Sequence, residues 1–298
     1  MALAWLALPL QARAESVPLA LVPDAPGNNN VIVTPNEDGT FTIITTGGDP
    51  FVVTTALEAD LADDMTMLVF DYKVDASTGS DFEIFFSPFV GGHSINKGGQ
   101  PATEEWVTAY FDISGARKDW GWGYAGNNLR LDPATGGGVT MQVRNMRVTT
   151  LSESLPEGFE SEDGMVLINS QEDFDHFMEV VNSGFTSLPA KFNTDVSVTG
   201  SGLKMQKFSG IMDGQGHTLN FDYEYTSEGY GFIRDNYGTV KNFKIDGLVN
   251  AKGKGFGALG TWSYGATIEN VDNNLEIVAH SVETTLQVVS LPGFSQQA

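Results

Sequence analysis

Three aromatic residues, Trp120, Trp122 and Tyr124, alternate with glycines at Gly121, Gly123 and Gly126. Aromatic faces carried on loops stack on sugar rings, and short polar side chains fix the hydroxyls. Asp119, Asn127, Asn128 and Arg130 flank the group and supply such acceptors and donors. Asp119, Trp120, Trp122, Tyr124, Asn127 and Arg130 therefore form the candidate carbohydrate-binding set. The competing reading is a packed sheet edge with the tryptophans in the core. Trp106 alternates with Thr108 and Tyr110 and reads as core.

Other residues invite chemistry less strongly. His217 follows Asp213-Gly214-Gln215-Gly216, which suggests a histidine–carboxylate pair, but the stretch reads as a turn entering a strand. His93 and His176 have no evident partners, and the histidines show no metal-ligand spacing. Asp60, Asp63 and Asp64, with Glu58 nearby, make a dense acidic cluster. Carboxylates and carbonyls can hold a structural calcium, but no EF-hand pattern is present and a solvated turn is the simpler reading. Gly136-Gly137-Gly138 lies between expected strands, so no phosphate-cradling loop is implied. Asp213, Asp235, Lys241 and Asp246 are available as acids or bases, with nothing to join them. No catalytic residue and no cofactor is assigned.

Composition bounds the partners. The formal charge of -22 repels nucleic acid and anionic lipid. Cysteine is absent, which excludes disulfides, thiolate zinc and cysteine nucleophiles together. The 34 glycines and 19 phenylalanines suit short strands joined by tight turns around flat cores. At the N-terminus, Ala2 to Leu10 is apolar, and Ala12-Arg13-Ala14 is a small-x-small cleavage pattern. Residues 1–14 are thus expected to be a signal peptide, possibly shortened because no basic residue precedes Ala2, with export to the outside of a bacterium. No other stretch is apolar enough for a membrane span.

The elements that must position these residues read as all-β. Residues 15–30, rich in proline and asparagine, are expected to be a linker. From 31 to 150 the chain alternates with period two, as in Met67-Leu68-Val69-Phe70-Asp71-Tyr72-Lys73-Val74 and Phe82-Glu83-Ile84-Phe85-Phe86. Such spacing without a sustained helical period predicts an antiparallel β-sandwich. A second linker is expected at 151–164. Ser170 is an N-cap candidate for a helix carrying Phe174, Phe177, Met178 and Val181, stopped by Gly184. From there to 278 a Gly-Phe-x-apolar, then Gly-x-apolar-x-Asn-apolar, template repeats. It places Leu219, Val240 and Ile268 in equivalent slots and lets Asn242 and Asn270 ladder their amides. The helix then caps the first coil of a short right-handed parallel β-helix. Residues 279–298 read as an irregular tail, which suggests a fragment of a longer protein.

The repeat segment resembles bacterial GLUG-type and pectate-lyase-like β-helix proteins. The likeness rests on Phe208-Ser209-Gly210-Ile211-Met212-Asp213-Gly214-Gln215-Gly216-His217-Thr218-Leu219, with echoes at Gly238-Thr239-Val240-Lys241-Asn242-Phe243 and Ala266-Thr267-Ile268-Glu269-Asn270-Val271. The region before it resembles the jelly-roll carbohydrate-binding modules of Bacteroidetes surface proteins. There the cues are Trp106, Asp119-Trp120-Gly121-Trp122 and Leu129-Arg130-Leu131. These resemblances imply a secreted or surface protein that binds a polysaccharide or other glycan without catalysis. A shortened polysaccharide lyase or hydrolase, and an adhesin with a protein partner, are the alternatives.

Overall fold

The computed structural model describes residues 16–225, 232–251, 256–257, 259–260, 262–279 and 288–289. The expected signal peptide at 1–14 and most of the tail at 279–298 lie outside them. The chain divides into two compact units that part between Glu153 and Ser154, with residues 108–112 grouped with the second.

The first unit contains two sheets whose pairings are antiparallel. One runs Val31–Pro35, Phe41–Thr45, Thr140–Thr149, Met67–Val74, Thr103–Asp112. The other runs Val52–Val53, Leu129–Asp132, Glu83–Phe86, Ser94–Asn96. The period-two pattern sends Phe70 and Tyr72 inward from the first sheet and Ile84 and Phe86 inward from the second. Phe82 joins the two faces, edge-on to Phe70 at 5.9 Å and tilted on Tyr72 at 4.9 Å. The expected antiparallel architecture of this region is what the pairings show.

Two sequence expectations change here. The stretch expected to be a linker at 15–30 belongs to the fold: Ser16–Pro18 pairs with the end of Thr140–Thr149, and Leu19 and Leu21 are buried. Proline is tolerated there because the strand is short and lies at the sheet edge. A helix also interrupts the strands, at Ser114–Trp120, and ends at Gly121 in the left-handed region with φ 65°. Gly at that C-terminal position needs no Cβ clearance. Seven residues are too few for a visible helical period, so the sequence pattern missed it.

The second unit is built on parallel ladders. Met165–Ile168, Ala190–Phe192, Ile211–Asp213, Thr239–Lys241 and Thr267–Glu269 pair in that order. Val196–Ser201, Thr218–Tyr225 and Lys244–Ala251 form a second ladder, closed by Asp272–Asn273 and Glu276–Ala279. Met205–Phe208, Ile233–Asn236 and Trp262–Ser263 form a third. From Val196 onward the chain visits the second, third and first ladders in turn, and repeats that order.

The register corrects one expected equivalence. Val240 pairs with Met212 and Ile268, whereas Leu219 pairs with Val196 and Ile245 in a different ladder. The first repeat has two extra residues in its turn. Thr218 follows Asp213 after four residues, whereas Lys244 follows Lys241 after only two. Spacing separates the two: Met212, Val240 and Ile268 recur every 28 residues, whereas Leu219 stands only 21 before Val240. The asparagine ladder does form: Asn270 donates to Asn242 at 2.8 Å, and Asn242 donates to Asp213 at 2.8 Å. Both asparagines sit at positive φ, 58° and 51°, which Asn tolerates better than most residues. Next to the buried apolar column, Lys191, Asp213, Lys241 and Glu269 face one another in sequence across four strands, with alternating charge.

The helix expected after Ser170 spans Gln171–Asn182, and the Ser170 hydroxyl accepts from the Asp173 amide at 3.1 Å. Its buried residues are Phe174, Phe177, Val180 and Val181, and the helix packs against Met205–Phe208, Met165–Ile168 and Val196–Ser201. Phe192 receives Phe174 and Phe177 edge-on.

Candidate functional site

Two places in the first unit gather side chains with binding chemistry. The first is the outward side of the four-stranded sheet. Arg130 lies opposite Phe85, which lies opposite Ser94, and the next row is Asp132, Glu83, Asn96. Alternation along each strand sends Leu129, Leu131, Ile84 and Phe86 into the core, so this second set must face outward. The Arg130 guanidinium lies between two rings, with Cζ 3.6 Å from the Phe51 centroid and 4.7 Å from that of Phe85. Its Nε and Nη2 donate to the two Asp132 oxygens at 2.7 and 2.5 Å, and Nη2 also reaches Asp49 at 3.0 Å. Bidentate pairing fixes the guanidinium plane, and both rings lie within cation–π distance of it. The face thus offers planar surfaces beside oriented carboxylates and the Asn96 amide.

Burial pushes Asp132 up to about 6, and the charges of Asp49 and Glu83 add to that against the pull of Arg130. Arg130 cannot neutralise Asp132 fully because Asp49 shares it. Asp132 in the folded protein therefore takes up a proton at a pH where the unfolded chain stays ionised. The group disfavours folding above its folded value, and that penalty is relieved as pH falls toward the ordinary carboxylate range. We expect the wild type to gain about 2 kcal/mol relative to Asp132→Asn as pH falls from neutral to about 4. Urea midpoints of both proteins across that range test this; parallel profiles would contradict it.

The second place is a cleft of about 490 Å³, lined among others by Asp60, Asp63, Arg117, Lys118, Trp122 and Tyr124. Arg117, on the short helix, donates to the carbonyls of Leu61, Ala62 and Met65 and pins the acidic loop under it. Asp60 accepts from the Ala125 amide at 2.8 Å and ties that loop to the aromatic one.

The structure scatters the expected carbohydrate-binding set. Tyr124 is 61% exposed at the cleft mouth, as a sugar platform requires. Trp122 is only 1% exposed; its ring is edge-on to Phe86 at 5.3 Å and its Nε1 donates to the Asn128 carbonyl at 3.0 Å. It is a core residue and offers no face. Trp120 and Asp119 end the short helix instead of sitting on a loop, and Trp120 is stacked on His93 at 5.1 Å. Asn127 holds the loop together, its side-chain oxygen accepting from the Gly123 and Tyr124 amides at 2.9 and 3.0 Å. Arg130 is on the sheet face described above. Trp106, read as core, is half-buried and lies under two cations, Lys73 at 5.2 Å and Arg144 at 4.1 Å.

The remaining candidates also shift. Among the described residues no group of three or more His, Asp or Glu is placed to hold a metal, so Asp60, Asp63 and Asp64 do not converge as a calcium site. His217 faces Asp195 at 3.2 Å, while Asp213 pairs with Lys241 at 3.3 Å. His176 stacks on Phe159 at 4.7 Å and so has a partner after all. Sequence reasoning missed Phe51, Phe85, Glu83 and Asp132. The outward slot of Phe85 between Ile84 and Phe86 was a visible signal, because an aromatic there faces solvent. Among the described residues no helix is long and apolar enough to cross a membrane.

No family model and no curated protein matches the chain. Among solved structures, a point mutant of a carbohydrate binding module of family 29 is 13% identical, covering 45% of this chain and 92% of that one, with a TM-score of 0.31. A mutant of the same family complexed with cellulohexaose is 12% identical over 46% of this chain and 94% of its own, with a TM-score of 0.31. A family 29 module from Piromyces equi is 7% identical over 44% of this chain and 80% of its own, also with a TM-score of 0.31. The GLUG-type resemblance has no matching family model and stands on the quoted residues alone.

Proposed function

We propose that the first unit is a non-catalytic carbohydrate-binding module that takes a glycan across the outward face of Phe51, Phe85 and Arg130. The observation that carries this reading is the guanidinium close to two aromatic rings and held by two carboxylates. A sugar presents an apolar C–H face and a rim of hydroxyls. Flat rings receive the first, and Glu83 and Asn96 supply oriented acceptors and donors for the second. The groups that catalysis on the coils would need are engaged elsewhere: Asp213 with Lys241 and Asn242, and Asp235 with Arg234. That favours binding over cleavage.

The second unit is read as a short β-helix with a capping helix. The repeated visiting order of three parallel ladders supports this, as does the helix packed on the first coils. In a solenoid each coil contacts only its neighbours, so limited proteolysis should remove coils from the C-terminal side first.

Calorimetric titration with soluble polysaccharides tests the binding face. Phe85→Ala removes one half-exposed ring and leaves the core untouched. It should weaken binding roughly tenfold, the scale of one aromatic contact. A wild type that binds none of the glycans, or a Phe85→Ala protein that binds as tightly, would sink the proposal.

A further inference from the structure

We infer that the cleft between the acidic loop and the Gly123–Tyr124 turn is a separate site for a small neutral polyhydroxylated ligand, such as one terminal sugar of a glycan. The inference concerns a different surface from the sheet face, and either can fail without the other. Several independent observations meet there.

The first is size. About 490 Å³ falls within the range of small-molecule sites, whereas the sheet face is open. The second is a fixed wall. Arg117 spends its terminal nitrogens on the 61–65 loop, which holds one side of the cleft in place. The third is the turn that packs against it. A Cβ at residue 123 would stand 3.1 Å from Arg117 Nε, so glycine lets the turn approach the guanidinium this closely. Gly123 also has φ 115°, so the turn itself selects glycine.

Charge then selects the ligand. Asp60 and Asp63 are balanced by Arg117 and Lys118 around the cleft. An anion meets the two carboxylates and a cation meets the two basic groups, so neither gains a net attraction. A neutral ligand with many hydroxyls uses both kinds: carboxylates accept from its hydroxyls, and Lys118 donates. The exposed Tyr124 ring at the mouth adds one apolar wall for its C–H face.

The test is a titration of the full chain with glucose, xylose, galactose and mannose, followed by amide chemical shifts. The expected result is that at least one sugar shifts Gly123, Tyr124 and Lys118 saturably, with a millimolar dissociation constant. Tyr124→Ala, a surface change, should weaken that binding about tenfold, and Asp63→Asn should weaken it as well. Phe85→Ala should leave it unchanged. Glucuronate and glucosamine serve as charged controls and should bind no better than the neutral sugars. Absence of saturable shifts at the cleft with all four sugars, or shifts indifferent to Tyr124→Ala and Asp63→Asn, overturns the inference. Cleft shifts with no effect of Phe85→Ala on polysaccharide binding would instead sink the sheet-face reading alone.

Discussion

Phe192→Ala should destabilise the second unit by about 4 kcal/mol, among the largest effects available to a single truncation. Phe192 is fully buried and lies where the helix meets the coils. Its ring is 5.8 Å from Phe174 and 6.4 Å from Phe177 on the helix, and 4.9 Å from Phe243 on a later coil. Removing it takes away its own burial and leaves a void walled by three rigid rings that cannot all move inward. The residue also sits in the first ladder opposite Ile168, so the strand pairing behind the void holds the backbone in place. Phe192→Leu fills most of the space and should cost much less. Urea unfolding followed by hydrogen exchange of second-unit amides measures both. A loss below about 1 kcal/mol for the alanine variant would show that the cavity collapses and that the ring is not central.

Gly247→Ala should cost at least about 3 kcal/mol, and for a different reason. Gly247 pairs with Phe221 in the second ladder and has φ 102°. A Cβ there would stand 2.7 Å from the Asn220 side-chain oxygen and 2.8 Å from the Phe221 amide nitrogen, and closer still to the Phe221 carbonyl. Those backbone atoms are held by the neighbouring coil and cannot retreat. Gly265 separates the two causes. It also has positive φ, at 70°, but nothing lies within 4 Å of its Cβ position. Gly265→Ala should therefore show only the conformational cost of about 1 kcal/mol. Equal losses in the two variants, read from urea midpoints, would mean that the close approach at Gly247 contributes nothing.

Some of this architecture was legible in the residues and some was not, and the division has physical causes. The helix after Ser170 was legible because capping and helical spacing are both local. The sandwich strands were legible because period two is local as well. The equivalence of Met212, Val240 and Ile268 was legible in their even spacing of 28 residues, and placing Leu219 in the slot, only 21 residues before Val240, overlooked it. Trp122 misled because a loop has no period that tells inward from outward. The Phe51–Arg130–Phe85 clamp was hidden for the opposite reason. Each residue follows its local pattern, but their meeting depends on the register of three strands far apart in sequence. Arg130 alone was singled out, and for the wrong neighbourhood.

The alternating column of Lys191, Asp213, Lys241 and Glu269 has a consequence for how the chain avoids mistakes. Strands of one parallel ladder present similar apolar faces, so these would stack nearly as well if a strand docked one place too far along. The column makes that error distinguishable. In the correct order every neighbour carries the opposite sign, and Asp213 and Lys241 are 3.3 Å apart. Skipping one strand would set Lys191 against Lys241, or Asp213 against Glu269, and like charges directly opposite repel. The alternation thus disfavours a slip of one place along the ladder, because every such slip sets like charges opposite each other.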